Sequence, residues 1–351
     1  MHRMRIGTRG SKLALWQAHH VADLLRAASP GMDVSVEVVK TKGDRILGVA
    51  LSKIGDKGLF TKELEQALFD GRVDVCVHSM KDVPTALPEG LALAGCLIRA
   101  DARDVLVAAS GTTFAGLPAG SRVGTGALRR LSQLRAVRDD LDYVEVRGNL
   151  DTRIAKVRDG ALDAVVLAAA GIERMGWSAE VAEAFSVDTV VPAVGQGAIG
   201  LEVRADDERT ARACAQVRCA ATDACVAAER HVMRALDGGC QVPIGAYARY
   251  EEGLLVLDAF VGSLDGSHVL RSRLSAASQP PNDTDAVEAA VREARALAQR
   301  AVEEFEAQGA RAVLDAVRAL SLIHISPRAP ACARRGRCAH GTSDCTATCR
   351  R

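Results

Sequence analysis

Residues 61–84, TKELEQALFDGRVDVCVHSMKDVP, set the architecture of the chain. Thr61 is placed to cap a short helix, TKELEQALFD (61–70), and VDVCVHS (73–79) follows it as a strand. Upstream, RIGT (5–8) is a short strand, Ser11 can cap an amphipathic helix over Lys12–Ala28, and VSVEVVKT (34–41) is a second strand. Downstream, LALAGCLI (91–98) is a fourth. Strands separated by helices at this spacing give a mainly parallel α/β sheet.

A second unit repeats the pattern. DVLVAA (104–109), SRVGTG (121–126), YVEVRG (143–148) and LDAVVLAAAG (162–171) are its strands, with helices expected over Leu128–Val137 and Asp151–Arg158. IGLEVRADD (199–207) supplies a further strand and a helix covers Glu208–Cys219. From Thr222 the pattern changes. A helix, TDACVAAERHVMRAL (222–236), is expected to end at Gly238-Gly239, where glycine suits a C-cap. Alternating strands follow, with Asp265-Gly266 as a hairpin turn, and helices close the unit over Asp285–Ala307 and on to Leu320. This third unit is α+β.

The chain has 351 residues, 48% hydrophobic and 25% charged, with net charge +1. A general nucleic-acid binder would carry a basic excess, so an anionic ligand must instead be met by locally placed Arg and Lys. Aromatic residues are 3%, which leaves few stacking platforms for bases. The N-terminus, MHRMRIGTRG, holds no signal-type apolar region, and LDAVVLAAAGI (162–172) is about half a membrane span, so a cytoplasmic protein without a membrane segment is expected. Cys76, Cys96, Cys214, Cys219, Cys225 and Cys240 are scattered without metal-like spacing and read as reduced thiols; no metal site is expected.

Several motifs carry chemistry, each weighed against a plainer meaning. VGQGAIG has the glycine spacing of a dinucleotide loop at Gly195, Gly197 and Gly200, but a strand rather than a helix follows, so a crossing between domains is the better reading. HSMKDVP puts His78, Lys81 and Asp82 past the carboxyl end of a strand, where ligands dock in open α/β sheets; an ordinary turn is the alternative, and His78 alone is more often structural. Arg9, Arg129, Arg130, Arg147, Arg153 and Arg174 recur beside glycine or small residues at strand ends and helix starts. Each alone is unremarkable, but six at equivalent positions suggest a polyanionic ligand, because the guanidinium fork matches carboxylate or phosphate. LSKIGDKGLF (51–60), with Lys53 and Lys57, is either a connector or a mobile cationic lid. Cys240, in LDGGCQVPIG, is either a buried thiol or a sulfur presented on a stiff loop.

Taken together, GTRGSKLALWQA, KGLFTKELE, HSMKDVP, VGTGALRR, RGNLDTR, LAAAGIERMG, PAVGQGAIG and GGCQVPIG closely resemble the porphobilinogen deaminase family, in the family's order, from Arg5 to Leu320. The resemblance implies two lobes like those of type II periplasmic binding proteins: 4–98 with 197–219, and 99–196. A third α+β domain, 220–320, completes the fold. It implies a dipyrromethane cofactor, built from two substrate units and joined by a thioether to Cys240. Asp82 falls on the catalytic carboxylate. Arg9, Ser11, Lys81, Arg129, Arg130, Arg147, Arg153 and Arg174 fall on substrate- and cofactor-binding positions. The implied reaction adds four porphobilinogen molecules in turn. Each loses ammonia to leave a cation that the growing chain's free α-carbon attacks, and water finally releases hydroxymethylbilane. A monomer is expected, with porphobilinogen as its small-molecule partner and neither nucleic acid nor membrane. A solute receptor of the same two-lobed plan would have no use for the third domain.

Two stretches depart from the family. Many members have two serines where this chain has Gly126-Ala127, so hydroxyl contacts to a carboxylate are lost there. Residues 321–351 follow the end of the resemblance, carry six Arg against one Asp, and leave the preceding body at −4. Cys332, Cys338, His340, Cys345 and Cys349 match no common CxxC pair, and this tail is expected to be disordered or non-native.

Overall fold

The computed structural model describes residues 2–42, 61–239, 242–281 and 286–323. Cys240, the segment with Lys53 and Lys57, and the tail from residue 324 lie outside the described residues.

Strands β1 (His2–Thr8), β2 (Met32–Val38), β3 (Val75–Ser79) and β4 (Leu91–Cys96) form the first sheet together with a strand from much later in the chain, β10 (Ile199–Arg204). The order is β2-β1-β3-β10-β4, with β1 parallel to β2 and β3, and β10 antiparallel to β3 and β4. Helix α1 (Lys12–Ala28) begins where Ser11 Oγ accepts the Ala14 N–H at 3.3 Å, as expected of its cap. Its buried face, Ala18, Val21 and Leu25, packs on Met4, Ile6, Val75 and Leu201. Helix α2 (Lys62–Phe69) lies against β3, but Thr61 makes no side-chain cap bond, because its own backbone is already helical.

The second sheet has the order β7-β6-β8-β5-β9, from β5 (Asp104–Ala108), β6 (Arg122–Gly124), β7 (Asp142–Val144), β8 (Ala164–Ala168) and β9 (Val181–Ala184). Here β5 is the one antiparallel strand, flanked by β8 and β9. Helices α3 (Leu128–Val137), α4 (Leu150–Arg158) and α5 (Ala169–Arg174) follow β6, β7 and β8. Apolar residues fill both faces: Leu106, Val123 and Phe185 on one, Val105, Val165 and Ile154 on the other. Two lobes of α/β type thus share one strand order, each with a single reversed strand contributed across the connection.

After α6 (Glu208–Ala215), α7 (Ala220–Ala235) leads into a meander of β11 (Ile244–Glu251), β12 (Leu254–Gly262) and β13 (Val269–Ala277), and then to α8 (Val287–Ala307) and α9 (Ala310–Ile323). Helices α7 and α8 bury Ala228, Val232, Leu297 and Phe305 on one face of this α+β unit's sheet. Helix α7 stops one residue earlier than expected, at Ala235, and the left-handed residue is Asp237, with φ 51°, rather than a glycine of the pair. Gly238 is needed for space, since a Cβ there would lie 2.3 Å from Met233 Sδ. The last helix runs three residues past Leu320, to Ile323.

The three units meet at the two chain crossings. On the first, Arg99 forms a two-pronged pair with Glu229 of α7 and donates to the Gln196 carbonyl at 2.8 Å on the second. Glu229 also accepts from the Gly195 and Ala248 backbone N–H groups, at 2.6 and 2.9 Å. No buried lone pair of this carboxylate is wasted, which is how a fully buried charge becomes tolerable.

Candidate active site

The carboxyl ends of the strands in both lobes face one cleft. Its lining includes Leu13, Ser79, Lys81, Arg130, Arg153 and Arg174, drawn from both lobes, together with the glycines of the second crossing. Gly195 and Gly197 have φ of 70° and 87°, and Cβ atoms there would come within 2.8 Å of Met80 and 2.5 Å of the Ala100 carbonyl. VGQGAIG is therefore a close crossing of two backbones, with a strand and no helix after it.

Lobe one contributes a single turn of 3-10 helix, Met80–Asp82, at the end of β3. Met80 is buried beneath it, which leaves Lys81 half-buried and Asp82 exposed. Burial, followed by the nearby Arg130, pushes the Lys81 ammonium down to about 8, while Asp82 and Asp104 pull it the other way. Lys81 Nζ lies 3.4 Å from Gln196 Oε1. Behind the turn, His78 Nε2 and Glu202 Oε2 are 2.8 Å apart and both side chains are buried, so His78 is structural. Arg9 and Ser11 sit half-buried between β1 and α1, on the same edge of the lobe.

Lobe two contributes the arginines. Arg174 donates to the Gly197 carbonyl at 2.7 Å and lies 5.7 Å above the Trp16 ring; burial pushes it down to about 10. Arg153 donates from Nε to the Gly148 carbonyl at 2.9 Å, and burial together with Arg130 lowers it to about 10, against the opposing pull of Asp82. Arg147 stands near enough to Arg153 to add to that depression. Arg147 Nε and Nη2 are buried with no hydrogen-bond partner among the described residues, and Glu145 is 3.6 Å from Nε. Arg129 and Arg130, in the first turn of α3, are both buried against Asp104. A Cβ at Gly126, before them, would meet the Val146 carbonyl at 2.7 Å, so a serine there needs a shifted backbone. At the rim, Lys12 of α1 and Asp151 of α4 form an exposed ion pair across the cleft at 3.2 Å.

Asp104, Gln196 and Glu202 escaped the sequence reading. The signal was present in two of them: an acid opening the apolar run DVLVAA, and another inside the strand IGLEVR. A charge within a fully buried strand needs a partner.

Residues 4–212 match the family model described as "Porphobilinogen deaminase, dipyromethane cofactor binding domain", and residues 224–307 match "Porphobilinogen deaminase, C-terminal domain". The chain belongs to the porphobilinogen deaminase family. The porphobilinogen deaminase of Moorella thermoacetica is 49% identical over 92% of this chain and 98% of that relative; that of a Roseiflexus species is 50% identical over 78% and 91%. Among solved structures, the Bordetella pertussis BvgS periplasmic VFT2 domain covers 62% of this chain and 86% of that chain at 15% identity, with a TM-score of 0.37. Family membership makes the chain a transferase that acts on porphobilinogen, with dipyrromethane as its cofactor. The donor set suits such a group. Two buried nitrogens of Arg147 without hydrogen-bond partners among the described residues, near Arg153 of a cleft lined by further cations, match a ligand bearing several carboxylates.

Proposed function

We propose that this porphobilinogen deaminase holds its cofactor through Cys240, binds the carboxylates of cofactor and substrate with Arg9, Ser11, Lys81, Arg129, Arg130, Arg147, Arg153 and Arg174, and uses Asp82 as its catalytic carboxylate. The supporting observation is the gathering of cations in the cleft: Arg130, Arg153 and Arg174 on lobe two face Lys81 on lobe one, with the acid Asp82 close enough to act on both Lys81 and Arg153.

Dipyrromethane, when bound, supplies the free pyrrole α-carbon onto which porphobilinogen units are added. The arginines hold acidic side chains by charge-assisted hydrogen bonds, each contributing about 1.5–3 kcal/mol, strong enough to orient a chain yet weak enough to let it move. Asp82 is exposed on a short turn whose Met80 is buried, so the backbone that carries the carboxylate is held by the core. A carboxylate held there stabilises positive charge that develops on a pyrrole as ammonia leaves, and accepts pyrrole N–H donors. Of the described cysteines, Cys76, Cys96, Cys214 and Cys225 are buried, and burial raises each thiol and keeps it protonated, which makes them poor attachment residues; Cys219 is half-buried, so the choice of Cys240 rests on its place in the family motif GGCQVPIG. No described helix is long and apolar enough to cross a membrane; a cytoplasmic monomer is the form we propose.

The test is an intact mass of the purified protein with an Ehrlich-type colour assay for dipyrrole, on the native chain and on Cys240→Ser. The native protein is expected to carry a two-pyrrole increment and Cys240→Ser to lack both increment and activity. A loaded, active Cys240→Ser would remove Cys240 from the assignment.

A further inference from the structure

Arg129 and Arg130 are adjacent, both buried, and placed in the first turn of a helix, where the dipole disfavours cations. One carboxylate answers both. Asp104, fully buried at the start of β5, accepts at Oδ1 from Arg130 Nε (2.9 Å) and Nη2 (2.7 Å), and Arg129 Nη1 lies 2.7 Å from Oδ2. The N–H of that Nη1 is directed to the Val191 carbonyl at 2.6 Å. Arg130 Nη1 donates to the Val166 carbonyl at 3.0 Å. Three of the five N–H donors of Arg130 are thus used inside the lobe, and two remain for the cleft that it lines. Arg129 instead packs toward the third unit, its Cδ 3.2 Å from a Cβ built on Gly245.

Gln196 extends the arrangement across the crossing. Its amide donates to Asp104 Oδ1 at 2.9 Å and to the Ala102 carbonyl at 2.7 Å, while its oxygen faces Lys81 Nζ. One buried carboxylate is thereby linked to the cationic wall of lobe two and, through Gln196, to the catalytic turn of lobe one.

We propose that Asp104 is a positioning residue for carboxylate binding: it fixes Arg130 so that its two spare N–H donors face the cleft, with Gln196 tying that anchor to Lys81. This rests on the cleft being the carboxylate-binding site. The triad of Asp104, Arg129 and Arg130 is left with one positive charge in excess, which an anionic ligand completes.

Asp104→Glu and Asp104→Asn separate position from charge. Asp104→Glu keeps the charge balance and the fold but moves the carboxylate by one methylene. In the cofactor-loaded fraction, KM for porphobilinogen is expected to rise about fivefold, with kcat within about twofold and the alkaline limb of the pH profile unmoved. Asp104→Asn removes a charge that favours protonated Lys81, so the limb moves to lower pH and KM rises about tenfold or more. A merely structural role would change stability and leave KM and the limb alone in any folded, loaded variant. Native KM and native cofactor content in Asp104→Glu would overturn the proposal, whether or not Asp104→Asn folds. Wild-type protein without a dipyrrole increment would instead sink the reading of the site.

Discussion

The two lobes are the same plan put to different uses. In each, the third strand in space ends at the cleft: β3 runs into the turn with Lys81 and Asp82, and β8 into the helix that ends with Arg174. In each, the reversed strand carries a fully buried carboxylate, Glu202 on β10 and Asp104 on β5. The partners differ. Glu202 is answered at Oε2 by one histidine from the adjacent strand, behind the turn, while its buried Oε1 has no hydrogen-bond partner among the described residues. Asp104 is answered by two arginines, one of which reaches the cleft. The same buried acid serves the fold in one lobe and, by our reading, the ligand in the other. Surplus charge, not topology, makes the difference.

The sharpest break of this comparison is at Asp82. Asp82→Asn keeps shape and removes charge, so turnover is expected to fall by about 10²-fold or more while cofactor stays bound or intermediates accumulate. Near-normal turnover would leave lobe one without a chemical role. Next, Arg153→Leu removes a cation from the wall of lobe two; about ten- to a hundredfold weaker porphobilinogen binding, or failed cofactor assembly, should appear as missing complexes in native mass spectrometry. A normal ladder of complexes would count against the polyanion reading.

Glu202→Gln probes the other acid. It is expected to lower stability by about 1–3 kcal/mol in urea unfolding without moving KM, because it disturbs a buried pair that lies behind the turn. An altered KM there would erase the contrast with Asp104. Lys81 adds a pH test. With its ammonium near 8 in the folded protein against an ordinary 10.5, anion binding through it should weaken as pH rises past about 8. Its contribution to stability has the opposite sign: between those values the unfolded chain holds the proton that the folded one has lost, so stability from this group rises with pH. Lys81→Met should flatten the binding profile above pH 7; an unchanged profile would mean another group sets it. The smallest effect is at the cap of α1, where Ser11→Ala should cost about 1 kcal/mol by denaturation.

Much of this was legible in the chain. Helix α1 begins at its Ser11 cap and α3 spans the residues expected of it, and the cationic positions around the cleft were visible as arginines beside small residues. Local signals failed where space decided instead. Gly238 marks a tight contact with Met233, and the turn itself falls on Asp237. Thr61 has the right side chain for a cap but a helical backbone. The return of β10 to the first sheet came from family likeness alone, since no residue pattern announces which sheet a strand joins. Asp104 was hidden for a related reason: its partners are more than twenty residues away, and only the folded crossing brings Gln196 to it.

The rim and the axis of the cleft differ in kind. The Lys12–Asp151 pair is exposed at both ends, and such pairs contribute at most about 1 kcal/mol, less in salt. Around the crossings, Arg99, Glu229, Gln196 and Asp104 form a buried set of linked charges and amides. Mechanically the molecule is a book bound at the spine and barely clasped at the fore-edge. The buried bonds lie along the line where the lobes join and the rim pair is exposed, so sliding one lobe along the other would break more of them than parting the rim.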